Sequence, residues 1–220
     1  AQRIAVDFPE MKFIFTLRNP IERTWANYRY TVLQGLEDLM FEDALRQEPE
    51  RIKKQTGMWA EIQPHNYTGR GFYGDHVTQF LELFDRQQIL LIKSESLASD
   101  TDRELRKIYN FLGLNNLGFI SQHPPNHTSC NVVNPSLQMQ LRDYFGDRFD
   151  KVIEAVRKKE DFGRFEEGHK DRQAFEQLRN NMKGRKESVP EDARKYLRNL
   201  FSADIEVLES IVDFDIKDWK

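Results

Sequence analysis

The stretch Lys12-Phe-Ile-Phe-Thr-Leu-Arg18, followed at once by Asn19 and Pro20, constrains the fold more than any other feature of the chain. A short, almost continuously apolar run after Pro9 predicts a strand buried on both faces, as in parallel sheets. Asn19 can cap a helix, and Pro20 suits the first helical position, where its fixed φ helps and its missing N–H costs nothing. The pattern predicts a helix over 20–34 stopped by Gly35, with Trp25, Tyr28 and Val32 spaced as a core stripe. Strand, turn and helix form the unit of an α/β fold. They place Arg18 at the carboxyl end of the strand, where open α/β sheets bind ligands and the helix start carries partial positive charge.

The alternation recurs. Phe72, Val77, Phe80, Leu81 and Phe84 predict a helix over 72–85, followed by an apolar strand over 88–93 and a helix over 102–112. Between the two units, a short helix over 41–48 is expected to stop before Pro49, with 50–66 polar and irregular. After Gly113 no strand is predicted: 123–128 reads as a loop, 136–160 as helical, and 161–190 as a charged, glycine-bearing stretch. Pro190 opens a helix to about 212 whose apolar series is Tyr196, Leu200, Ile205, Leu208 and Ile211. The fold class is α/β with a parallel sheet and a helix-rich C-terminal part, read as one domain over 1–220. Two strands cannot make a self-sufficient parallel sheet. Since the first residues read as the last turns of a helix, further strands are expected upstream of Ala1.

The 33 Lys and Arg against 36 Asp and Glu give a net charge of −3, with no broad attraction to nucleic acid or anionic membrane, so any anion site must be local. The longest aliphatic run, 89–92, predicts no membrane-spanning helix. One cysteine, Cys130, excludes an internal disulfide and a cysteine-based zinc site and makes the reducing cytoplasm the expected compartment. Asn66-Tyr-Thr68 and Asn126-His-Thr128 fit the glycosylation pattern, which matters only in a secretory lumen of Golgi type. His65, His76, His123, His127 and His169 show no metal-ligand spacing, and no metal is expected.

Two basic groups stand out. Arg18, joined by Arg23 in the first helical turn, is a candidate phosphate ligand; the alternative is that Arg18 and Arg23 form ion pairs with acids such as Glu22 or Asp75. Lys183-Gly184-Arg185-Lys186 places three cations around a flexible glycine, where backbone N–H groups and a guanidinium can wrap a phosphate, or it is simply solvated surface.

The segment from Lys12 through Arg18-Asn19-Pro20 to Tyr28 resembles the 3′-phosphate-binding segment of sulfotransferases that use 3′-phosphoadenosine-5′-phosphosulfate (PAPS). Gly71-Phe-Tyr73, then Ile89 through Ser94, Glu95 and Leu97, and Phe111-Leu-Gly-Leu114 look like the middle of that family in the same order. The 183–186 loop, Pro190 and a last helix ending near Trp219 are similar to the closing segment of its heparan sulfate and bacterial branch. The resemblance implies a P-loop-like three-layer α/β fold in which Arg18 and Lys183, Gly184, Arg185 and Lys186 hold the nucleotide's 3′-phosphate. It implies PAPS as co-substrate, adenosine 3′,5′-bisphosphate as product, and a hydroxyl- or amine-bearing acceptor that is a small molecule, carbohydrate or carrier-bound chain.

This chain departs from that pattern. Ala26 stands where the family has a phosphate-contacting serine, and Arg23, three residues earlier on the same helical face, is the expected compensation. Ser94 stands where related enzymes have an aromatic residue. No segment matches the family's phosphosulfate loop or supplies its usual base, and neither His65 nor His76 is assigned that role. The alternative function is a non-catalytic relative that binds a nucleotide or a partner. A P-loop kinase would need a Gly-Lys-Ser/Thr loop and a metal-binding acid. Residues 50–70 and 121–135 are the expected acceptor-contacting loops.

Overall fold

A computed structural model of the chain describes residues 1–114, 131–160, 169–183 and 187–220. Along the first half run α1 (Gln2–Asp7), β1 (Phe13–Leu17), α2 (Pro20–Leu33), α3 (Phe41–Lys54), α4 (Met58–Ile62), α5 (Tyr73–Leu81), β2 (Ile89–Lys93), α6 (Ser94–Ser99) and α7 (Thr101–Leu112). The second half holds α8 (Pro135–Phe145), α9 (Phe149–Arg157), α10 (His169–Asn181) and α11 (Glu191–Glu209). The residues group into two compact units, one of 1–23, 70–126 and 195–220, the other of 24–69 and 127–194.

The first unit is built on the sheet. β1 and β2 pair in parallel from Phe13 opposite Ile89 to Leu17 opposite Lys93, the helix-connected pairing expected of an α/β fold. Phe13 and Phe15 each meet the ring of Phe80 edge-on at 5.0 Å, and Phe13 meets Phe84 at 4.5 Å, which fastens α5 to the sheet. Burial on both faces of β1, expected from its apolar run, does not hold. Phe13, Phe15 and Leu17 turn inward, while Ile14, 38% exposed, and Thr16 lie exposed on the opposite face. On β2, Ile89, Leu91 and Ile92 are all buried.

The buried stripe of α11 departs by one residue from the first two positions of the expected series and keeps Ile205 and Leu208. Leu197, Phe201, Ile205 and Leu208 are buried, whereas Tyr196 is exposed. These four keep helical spacing, so Phe201, rather than Leu200, faces inward, packed so closely on Gly71 that an added Cβ there would come within 2.8 Å of its ring.

In the second unit the predicted stripe of α2 is core. Trp25 stacks on Tyr28 at 5.4 Å, and both meet Phe41, at 4.8 and 4.9 Å. Trp25 Nε1 donates to the Glu187 carbonyl and the Tyr28 hydroxyl to that of Leu39, so both polar tips are satisfied. Gly35 ends the helix at φ +64°, which glycine adopts without strain.

Two expectations for this unit are corrected. α3 does not stop at Pro49 but runs to Lys54, and α4 occupies part of the stretch expected to be irregular. Pro49 removes one helical hydrogen bond, but tertiary partners hold the helix on both sides of it. Glu48 accepts from the Thr68 N–H (2.9 Å) and hydroxyl (2.8 Å), and Arg51 Nη1 donates to Glu37 Oε2 at 2.6 Å. Within the charged, glycine-bearing stretch over 161–190, α10 forms a helix; its Ala174, Phe175 and Leu178, with Met182 just after it, join Leu33, Leu141, Phe145, Phe149, Val152 and Ile153 in one apolar cluster.

Candidate functional site

Because β1 and β2 are parallel and in register, their carboxyl ends lie side by side and bring Arg18, Asn19, Lys93, Ser94 and Glu95 together. Asn19 caps α2: its Oδ1 accepts from the N–H groups of Ile21 (3.0 Å) and Glu22 (3.3 Å), and its carbonyl accepts from Arg23 N–H. Those N–H groups are thus already partnered, and the exposed Arg18 side chain is left to meet an anion. The Asn19 N–H donates to Glu95 Oε1 at 3.1 Å and its side-chain amide to the Asp218 carbonyl at 3.3 Å. Glu95 also accepts from Ser94 Oγ at 3.2 Å, so one carboxylate orients both strand ends.

Arg18 is exposed and makes no side-chain hydrogen bond or ion pair among the described residues. The alternative of an Arg18 ion pair with Glu22 or Asp75 is therefore not realised. Arg23 sits half-buried in the first turn of α2, and both guanidinium groups act on the hydroxyl of Tyr73, the first residue of α5. Burial pushes the Tyr73 hydroxyl above its ordinary pKa. The charge of Arg23, the Arg18 backbone amide and the Arg18 charge oppose that rise, and Glu95 adds to it. At neutral pH Tyr73 is a neutral O–H beside two cations, suited to donate to an oxyanion.

Lys93 is committed elsewhere. Its ammonium donates to Asp218 Oδ1 (2.7 Å) and the Asp215 carbonyl (2.9 Å) and lies 5.6 Å from the centre of the Trp219 ring. Tyr73 and Glu95 belong to segments that carry the family resemblance, yet sequence reasoning gave neither a role. The available signal was positional: Tyr73 opens α5 two residues after Gly71, and Glu95 lies in the first turn of α6, which follows the end of β2.

Of the basic loop, Lys183 donates to Asn180 Oδ1 at 2.7 Å, while Gly184, Arg185 and Lys186 lie outside the described residues, as do Cys130 and most of 121–135. His65 is held in a network of the second unit, with Nε2 3.0 Å from Arg51 Nη2 and 2.9 Å from the Leu36 carbonyl, and Nδ1 3.1 Å from Gln55 Nε2. Among the described residues no group of three or more His, Cys, Asp and Glu could hold a metal ion. No described helix is long and apolar enough to cross a membrane.

The family model described as "Sulfotransferase domain" matches residues 3–131, a span that holds β1, Arg18, α2, Tyr73 and β2. The chain belongs to the sulfotransferase-domain family. Among curated relatives of this sulfotransferase-domain chain, Carbohydrate sulfotransferase 15 of Rattus norvegicus is 25% identical over 165 residues, 63% of this chain and 28% of that protein. Heparan sulfate glucosamine 3-O-sulfotransferase 3B1 of Mus musculus is 30% identical over 112 residues, 51% of this chain and 27% of that protein. The matched part thus spans little more than a quarter of the length of these relatives. A sulfotransferase crystal structure from Alicyclobacillus acidocaldarius superposes over 99% of this chain and 61% of its own, with a TM-score of 0.62 and 20% identity. That likeness shows the α/β sulfotransferase-type fold.

Proposed function

We propose that this chain, as one sulfotransferase-like domain over 1–220, binds the 3′-phosphate end of PAPS and supplies most of an enzyme that sulfates an acceptor hydroxyl or amine. One observation carries the reading: Arg18, at the carboxyl end of a parallel strand in the Arg-Asn-Pro turn, is an exposed guanidinium with no partner among the described residues. Its field is reinforced by Arg23, and the Tyr73 hydroxyl offers a neutral donor beside them. A cationic and donor-rich set of this kind fits a phosphate monoester, since a guanidinium can engage two oxygens at once. Lys183, Gly184, Arg185 and Lys186 are proposed to complete the pocket, as the resemblance implies.

PAPS, when bound, supplies an activated sulfuryl group. An acceptor lone pair bonds to sulfur, the bond from sulfur to the 5′-phosphate oxygen breaks, a base takes the acceptor proton, and adenosine 3′,5′-bisphosphate leaves. The residues described above anchor and orient the nucleotide. Glu95 holds Asn19 and Ser94, Asn19 closes the first turn of α2, and this fixes the backbone from which Arg18 and Arg23 project. The likeness to a carbohydrate sulfotransferase and a heparan sulfate sulfotransferase favours a carbohydrate acceptor, and the single cysteine favours a reducing compartment such as the cytoplasm.

Calorimetry tests the reading. Adenosine 3′,5′-bisphosphate is expected to bind at least about tenfold more tightly than adenosine 5′-monophosphate, because one charge-assisted hydrogen bond contributes roughly 1.5–3 kcal/mol. Arg18→Ala should erase most of that preference. Equal affinities for the two nucleotides, or a preference untouched by the substitution, would refute the assignment.

A further inference from the structure

The second unit contains a cavity of about 410 Å³ that the nucleotide reading does not use, formed where α3 gives way to α4. Its volume lies within the ~300–1,000 Å³ typical of small-molecule sites. Leu36 and Pro64 supply apolar wall, Trp59 presents an indole that is 44% exposed, and Arg51, Lys54, Gln55 and His65 bring polar groups.

The charges in this wall are not equivalent. Arg51 is neutralised by Glu37, whose fully buried carboxylate it meets at 2.6 Å. Lys54 has no hydrogen bond or ion pair among the described residues, so it leaves a positive charge at the rim; the acid whose charge it acts on is exposed Glu50, which already pairs with Lys53 at 3.0 Å.

Gln55 adds an unfilled hydrogen-bonding group. Its Nε2 faces His65 Nδ1, and its buried Oε1 has no partner. Turning the amide over gives Gln55 Oε1 the His65 Nδ1–H and lets His65 Nε2 accept from Arg51, but then Gln55 Nε2 is left without a partner and the Leu36 carbonyl loses its His65 donor. In either orientation one polar atom of this amide awaits a ligand. A flat aromatic face, an unpaired cation and an unfilled amide together suit a ring that has an apolar C–H face, hydroxyl groups and a negative substituent.

We propose that this cavity is a subsite for one acidic sugar ring, stacked on Trp59, with its carboxylate or sulfate on Lys54 and a hydroxyl on Gln55. The inference rests on the carbohydrate-acceptor reading and adds to it a location and a charge requirement. It predicts that the preferred glycan is already anionic before this enzyme acts on it.

Trp59 gives the measurement its signal, because the other two tryptophans, Trp25 and Trp219, are 7% and 0% exposed. The whole chain is titrated, at physiological salt, with a tetrasaccharide of alternating uronic acid and sulfated glucosamine. Cellobiose, inorganic sulfate and 2-naphthalenesulfonate serve as neutral, bare-anion and aromatic-anion comparisons. A saturable change in tryptophan emission is expected with the tetrasaccharide alone. Lys54→Gln should weaken binding at least tenfold, and Trp59→Ala, followed by calorimetry, should weaken it by a similar factor. Both substitutions are at exposed positions. Equal binding of cellobiose, stronger binding of the naphthalenesulfonate or of sulfate, or an affinity unmoved by Lys54→Gln overturns the proposal. Calorimetry with adenosine 3′,5′-bisphosphate on the same sample separates the two readings. Bisphosphate binding without a tetrasaccharide response overturns the sugar subsite alone. A Lys54-dependent tetrasaccharide response without bisphosphate binding supports the subsite and overturns the nucleotide assignment.

Discussion

Arg18 and Arg51 are the same residue type put to opposite use in the two units. Arg51 lies against a carboxylate with no exposure, and that carboxylate is saturated: Glu37 Oε1 accepts from the N–H groups of Asp38 and Leu39, and its Oε2 accepts from Arg51 and from the Tyr67 hydroxyl, both at 2.6 Å. Arg18 is exposed and has no side-chain partner among the described residues. A guanidinium paired with a buried carboxylate contributes to folding, and its removal strands a charge. An unpaired one at a strand end contributes nothing visible to folding and remains available to an anion. The pairing of a cation, rather than its identity, separates the two roles.

The largest expected effect follows from that contrast. Arg51→Ala should cost about 3–5 kcal/mol in urea unfolding, because it leaves Glu37 buried without its counter-charge. Arg18→Ala should stay within about 0.5 kcal/mol of the parent in the same measurement. If the two variants lose similar stability, the division between a structural and a ligand-binding arginine fails.

Next in size is Gly71→Ala, which brings a methyl group within 2.8 Å of the buried Phe201 ring. A loss of about 1–3 kcal/mol in thermal or urea unfolding is expected from overpacking. A neutral outcome would show that the first unit yields more easily than its close contacts suggest.

A pH measurement sharpens the comparison within the second unit, where Glu37 is saturated and Glu48 is not. Glu48 Oε2 is buried with no partner, and burial pushes its carboxyl above its ordinary pKa against the opposing hydrogen bonds from Thr68, Gly69 and Tyr67. A carboxyl raised in the folded state holds its proton longer than in the unfolded chain. Stability from this group is therefore full below the ordinary carboxylate value and declines as pH rises through the raised one. Glu48→Gln should flatten the decline of stability above the carboxylate range, read as urea midpoints at several pH values. An unchanged slope would place the cause elsewhere.

The smallest effect is expected at Ala26, one turn beyond Arg23 on α2. Ala26→Ser adds one neutral hydroxyl and should strengthen bisphosphate binding by about 0.5–1 kcal/mol if this helix face meets the phosphate. No change in calorimetry would mean that Arg23 already fills that position.

Much of the first unit was legible because its signals are local. The apolar run of β1, the Asn19 cap and Pro20 lie within a few residues of one another, and each observed feature follows from its neighbours in sequence. The second unit was read less well because its order comes from distant partners. α3 passes Pro49 because Glu48 meets Thr68 and Arg51 meets Glu37, contacts that no local pattern announces. α10 is mostly polar, and its buried Ala174, Phe175 and Leu178 acquire meaning only against α8 and α9. The site divides in the same way: Arg18 could be read from its strand, whereas Tyr73 joins it from 55 positions away and Glu95 from 77.

The Thr68 contact with Glu48 has a consequence for timing. Asn66-Tyr-Thr68 is a glycosylation triplet, but in the folded chain Asn66 Nδ2 donates to Gln63 Oε1 at 2.8 Å and Thr68 is tied through both its N–H and its hydroxyl. The atoms that a glycan-transferring enzyme must grip are the ones that fasten the end of this loop. In any compartment where such an enzyme operates, modification and folding would race for the same side chains. A chain that folded first would be closed to the sugar, and one glycosylated first would have to fold without that fastening.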